Sequence, residues 1–120
     1  MNKPVILTSL LAVLTLAPTS VLSSTSEVEA HLDCAAVFIQ MAQLTSGDAS
    51  AMWGDYAVQV MGMASDMSSV EAVQSDLRER VPARKQAFAD DVANQGQQVA
   101  EQNLMQTLTG CGQRYGLLQQ

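Results

Sequence analysis

The sequence predicts an all-α fold, a small up-and-down bundle of about four helices closed by one disulfide. Three observations carry that prediction. Apolar residues recur at steps of three and four through most of the chain, capping signals divide the pattern into segments, and the chain's two cysteines stand near opposite ends of the part beyond residue 23. No stretch alternates with period two for long enough to form a strand, and no internal repeat is present.

The first helix is expected from about Glu27 to Leu44. Ser26-Glu27-Val28-Glu29 fits a capping box, and Val28, Leu32, Ala35, Ile39 and Ala42 form a stripe flanked by Phe38 and Met41. Thr45-Ser46-Gly47-Asp48 reads as a stop followed by a new N-cap, which starts a second helix from about Ala49 to Met67. Its expected core stripe is Met52, Tyr56, Val60, Met63 and Met67, and Gly54 and Gly62 suggest a close helix approach or a shallow groove. Ser68-Ser69-Val70-Glu71 is a second capping box. It opens a third helix with apolar positions Val70, Val73, Leu77 and Val81, expected to end at Pro82. A fourth helix follows through Phe88, Val92, Val99, Leu104 and Leu108 to Gly110 and Gly112, with Gly96 as a weak point inside it. Beyond it Tyr115, Leu117 and Leu118 are available as a flap over the bundle.

Residues 1–23 have the pattern of a cleaved export signal. Lys3 gives a positive start, Val5 to Leu16 is an apolar run, and Val21-Leu22-Ser23 offers modest residues for processing. The alternative is an uncleaved anchor, because the run approaches the roughly 20 apolar residues of a membrane span. Pro18 and the lack of a following basic cluster favour cleavage. The expected mature chain, residues 24–120, is one small helical domain, periplasmic or secreted, that touches a membrane through its signal segment alone.

A domain of that size is marginal on hydrophobic burial and benefits from a covalent staple. In an oxidising compartment Cys34 and Cys111 are expected to pair, with a free or intermolecular thiol as the alternative. Closing so long a loop restricts the unfolded chain by about 4 kcal/mol in the chain-entropy model. Pairing also selects a topology. Four alternating helices bring the start of the first to the end of the fourth, whereas a chain running straight through Pro82 would make one helix of about 40 residues, roughly 60 Å long, that leaves Cys34 behind. The bridge therefore implies a turn near Val81-Pro82.

All twelve acidic residues lie after residue 23, where they face five basic ones. That balance disfavours nucleic acid and anionic membrane surfaces as partners. Four of the five, Arg78, Arg80, Arg84 and Lys85, crowd around Pro82 as a basic pole, either a solvated helix junction or a docking patch for an acidic partner or a lipid headgroup.

The search for catalytic chemistry gives mostly negatives. His31 is the chain's single histidine, which excludes zinc sites built from two or three imidazoles, and nothing assembles a nucleophile around it. No nucleophile elbow, phosphate-cradling glycine loop or dinucleotide fingerprint occurs, and Asp90-Asp91 are adjacent residues that diverge on a helix. Met61, Met63 and Met67 could offer thioethers to Cu(I), although methionines at helical spacing are usually packing residues. No cofactor is implied.

In outline, being small, helical and furnished with two cysteines, the mature chain is similar to acid-stress chaperones of the bacterial periplasm, a likeness that assigns no residue. Protonating the carboxylates below about pH 4 would turn the net charge positive and loosen the bundle. The sequence thus predicts a non-enzymatic protein that binds a protein partner as an inhibitor, chaperone or accessory subunit. A small-ligand or Cu(I) carrier built on the second helix is the alternative.

Overall fold

A computed structural model describes residues 26–117, so the expected signal segment and Leu118 lie outside the described residues. The chain divides into two compact units, residues 1–30 and 31–120. Of the first, the described residues 26–30 are helical. The second contains four helices and no strand among the described residues: α1 (residues 31–44), α2 (Gly47–Met67), α3 (Val70–Gln95) and α4 (Gln97–Tyr115). No described helix is long and apolar enough to cross a membrane.

The core is organised around α1. Cys34, Ala35, Ala36, Val37 and Phe38 are all buried, and five consecutive helical residues at about 100° each sweep the whole circumference. An amphipathic stripe is therefore the wrong description of this helix. Its middle is apolar on every side, as a helix enclosed by others must be, while Ile39, Met41 and Ala42 are half-buried. Phe38 packs on Trp53 and Tyr56 of α2, with ring centroids 5.9 and 5.8 Å away, and those two rings are 5.6 Å apart. Such offset and edge-on contacts are each worth about 0.5–1.5 kcal/mol beyond the area they bury.

The turn between α1 and α2 is held by two hydroxyls. Thr45 Oγ1 donates to the Met41 carbonyl and Ser50 Oγ to the Ala42 carbonyl, both at 2.7 Å, so orphan carbonyls at the end of α1 are satisfied. The N-cap of α2 is Ser46, two residues earlier than expected, and Asp48 lies in the first turn, where its charge complements the helix dipole. The buried residues of α2 are Trp53, Ala57, Val60 and Ala64. Met52, Met63 and Met67 are 38%, 41% and 40% exposed, so the expected methionine stripe is the flank of the buried face. Trp53, Ala57, Val60 and Ala64 hold the centre of that face, and the thioethers lie beside it. A Cβ on Gly54 or Gly62 would meet nothing within 4 Å, so neither glycine marks a close approach.

Ser69 caps α3, one residue later than the capping box from Ser68 to Glu71 implies, accepting the Ala72 amide at 3.1 Å, while the Ser68 hydroxyl donates to the Ala64 carbonyl at the end of α2. The helix then runs straight past Pro82, contrary to expectation. Pro82 and Arg78, the residue whose carbonyl loses its partner, are both exposed, where water supplies the missing bond. The chain reverses instead at Gly96, with φ 96° and ψ 159°, a region essentially restricted to glycine. This residue both ends α3, donating to the Val92 carbonyl at 3.0 Å, and begins α4, accepting the Ala100 amide at 3.1 Å. Val73 and Leu77 from α3, and Ala100, Leu108 and Cys111 from α4, complete the core, whereas Val70 and Val99 are exposed.

The reversal at Gly96 produces the geometry that the disulfide requires. α4 returns antiparallel to α3, and Cys34 and Cys111 are bonded with their Cα atoms 5.6 Å apart. Gly110 and Gly112 do not end α4. It continues to Tyr115 and closes at Gly116, where the chain is left-handed (φ 67°) and the Leu117 amide donates to the Gly112 carbonyl at 2.8 Å. Tyr115 is thus part of the helix, and its hydroxyl lies 2.5 Å from His31 Nδ1.

Two substitutions test where the chain turns. Pro82→Ala should raise the urea midpoint, by up to about 3 kcal/mol in stability, because it restores an interior helical hydrogen bond. Gly96→Ala should lower stability by about 1–3 kcal/mol, because alanine cannot adopt that backbone without strain. A destabilised Pro82→Ala protein beside a neutral Gly96→Ala protein would contradict the assignment.

Candidate functional site

The basic pole is partly spent inside the fold. Arg84 makes a two-pronged bond to Asp33 of α1, its Nε reaching Oδ1 at 3.0 Å and its Nη2 reaching Oδ2. Arg80 grips Asp76 through Nε and Nη2 at 2.6 and 3.1 Å, and its Nη1 lies 3.8 Å from Asp33 Oδ1. These two arginines join α3 to α1, while Arg78 and Lys85 are exposed. The groups are too solvated for the pairs to contribute more than about 1 kcal/mol each. Replacing Arg84 by glutamate would nevertheless set two carboxylates against each other, so Arg84→Glu disturbs the fold before it reports on any partner.

The three candidate copper ligands are not brought together. Met61 and Met63 are separated by about 200° around α2, which puts half-buried Met61 on a different flank from exposed Met63 and Met67. No group of three or more His, Cys, Asp or Glu residues able to hold a metal occurs among the described residues. His31 is half-buried against Tyr115, whose phenol burial raises above its ordinary value against the opposing effect of Arg114.

A groove not anticipated from the sequence opens where α1 ends between α3 and α4. From Ala89 to Val99 no residue is fully buried, so the α3–α4 hairpin around Gly96 is solvated. At its base lies a concavity of 380 Å³ lined by Met41 and Leu44 of α1, Thr45, Phe88 of α3, and Gln97, Glu101, Leu104 and Met105 of α4. That volume is within the roughly 300–1,000 Å³ of small-molecule sites. Leu44 and Met105 are 57% and 51% exposed, large apolar side chains left in solvent on either side of it. A larger concavity, 610 Å³, runs along the glutamine-rich face of α4, but its lining comes entirely from that helix, which makes it an open surface.

Phe88 divides the groove from two neighbouring hollows, and both include Gln40. One, of 330 Å³, is bounded by Gln43, Leu44 and Lys85 as well. The other is a polar cleft of 70 Å³ that adds Arg84, Asp91, Asn103 and Thr107. Gln40 is 3% exposed, and its Oε1 has no hydrogen-bond partner. Buried amide oxygens are nearly always satisfied, so this one is an exception within the folded chain, closed to solvent although its residue borders both hollows. The sequence contains one sign of it: Gln40 interrupts the otherwise apolar run Ala35 to Met41.

The chain matches no protein-family model, no curated protein and no solved structure.

Gln40→Leu gives a direct check on that amide. Substituting an apolar group of similar size removes an uncompensated desolvation cost of about 1–3 kcal/mol, so the free protein should unfold at higher urea. Loss of stability on this substitution would mean that Gln40 is already paired in the folded chain.

Proposed function

We propose that the protein is a non-enzymatic binding module that receives a cationic amphipathic helix of a protein partner in the groove between α1, α3 and α4. The observation that carries this reading is the exposed pair Leu44 and Met105 flanking an apolar hollow in an acidic surface. Helix-in-groove recognition uses such a hollow for the partner's apolar positions, with charges around the rim fixing orientation.

Charge complementarity decides the sign of the partner. Setting aside Arg80, Arg84 and the Asp33 and Asp76 that hold them leaves ten carboxylates against Arg78, Lys85 and Arg114. Glu101 lines the groove and Asp90 and Asp91 stand on the adjoining hairpin. A basic partner suits this surface better than the acidic one that the sequence pattern suggests, because the strongest cations of the pole face their own carboxylates. Export to the periplasm or beyond is part of the same reading, supported by the Cys34–Cys111 bond, since disulfides persist in oxidising compartments.

Fluorescence anisotropy with a labelled, lysine- and leucine-rich helical peptide tests the proposal. Binding should weaken as salt rises, and Leu44→Glu with Met105→Glu should cost about tenfold in affinity, roughly 1.4 kcal/mol. Both residues are half-exposed or more, so these variants should fold. Absence of binding, or equal binding by the double variant, would overturn the groove reading.

A further inference from the structure

Methionine is among the residues most often found fully buried, yet none of the six among the described residues is. Met41 and Met61 are half-buried, and Met52, Met63, Met67 and Met105 are exposed. Three of the exposed ones lie along one flank of α2, whereas Met105 is the sole methionine of α4 and lines the groove. It also borders the open glutamine-rich face of that helix. A helical residue hides its backbone, so the 51% exposure of Met105 belongs to a side chain that ends in a thioether and its methyl group. A small oxidant reaches it from solvent without any opening of the fold. Met41, the other thioether of the groove lining, is half-buried.

We infer that Met105 is a sulfoxidation site that gates the groove: hydrogen peroxide converts its thioether to a sulfoxide, and the groove then rejects the apolar residues of a partner helix. The sulfur lone pair attacks one peroxide oxygen, an S–O bond forms as the O–O bond breaks, and sulfur gives up an electron pair. The departing hydroxide takes the proton of the transferred oxygen and leaves as water. A dithiol-dependent reductase reverses the step, returning the thioether with a disulfide and water as the other products. The sulfoxide replaces a soft apolar atom by a strong hydrogen-bond acceptor. Pressing a leucine of the partner against it strips water from that oxygen and supplies no donor in exchange. What is gated rests on the groove reading above, while the place of oxidation rests on exposure alone.

The test treats the full-length protein with hydrogen peroxide, removes the oxidant, and titrates the labelled lysine- and leucine-rich helical peptide, made without methionine. Peptide mapping by mass spectrometry should find sulfoxide at Met105, and affinity should fall about tenfold. Met105→Leu keeps an apolar side chain of similar volume without the sulfur, so its own affinities before and after treatment should agree. A protein carrying Met52→Leu, Met63→Leu and Met67→Leu together should lose affinity on treatment as the native chain does. The treated native protein should keep its urea midpoint, because a sulfoxide at Met105 stays in water when no partner is bound. Met105 left unoxidised, affinity unchanged once it is oxidised, a loss shared by Met105→Leu or absent from the α2 variant, or a loss of fold along with affinity would each overturn the gate and leave the groove standing. Failure of the untreated protein to bind the peptide would overturn the groove reading, and the gate with it.

Discussion

Everything else in this fold depends on enclosing five consecutive residues, Cys34 to Phe38, on every side of one helix. A helix with one apolar face needs one neighbour; this one needs three. The aromatic contacts of Phe38 supply α2, the Asp33–Arg84 pair fastens α3, and the disulfide at Cys34 fixes α4. Alanines at 35 and 36 fill little of the enclosed space, and the large rings of Phe38 and Trp53 fill the rest, while Met52 and Met63 stand on the exposed flanks of α2. Because the enclosure is complete around Val37 but not around Leu44, the groove is a consequence of where α1 stops. The hairpin of α3 and α4 continues past it, and Phe88, Leu104 and Met105 have no fourth helix to cover them fully.

Much of this architecture was legible in advance. The stop after Leu44 and a serine cap opening α3 follow from short-range chemistry, the cap falling one residue past the Ser68 that the capping box implies, and the pairing of Cys34 with Cys111 follows from there being two cysteines to pair. The helix boundary at Pro82 was not legible, because two signals compete there. Proline removes one bond from an exposed turn, a cost that tertiary packing of Val73 and Leu77 on one side and Phe88 on the other can bear. Glycine at 96 is needed for a backbone that other residues cannot adopt, so the weaker-looking signal decides the turn. The requirement for a reversal was sound. Its position came from the residue that makes reversal possible, not from the one that merely disfavours a helix.

The functional surface was harder to see for a related reason. Charges adjacent in sequence look like a patch, but Arg80 and Arg84 lie on the side of α3 that meets Asp33, and only the packing of α1 reveals it. Gln40 is visible as an isolated polar residue in an apolar run, yet its neighbours Asp91, Asn103 and Thr107 come from two helices some fifty or more positions away. Periodicity identifies which residues share a helix face. It does not say which polar atom will be left unpaired when three faces converge.

Native-state hydrogen exchange of the oxidised protein tests the central role of α1 most directly, since the slowest amides are those released by global unfolding alone. The amides of Val37 to Met41 should be the last to exchange, at the free energy of global unfolding, while those from Ala89 to Val99 exchange by local opening. Exchange of α1 at the rate of the hairpin, with the protected core in α3 and α4 instead, would contradict it.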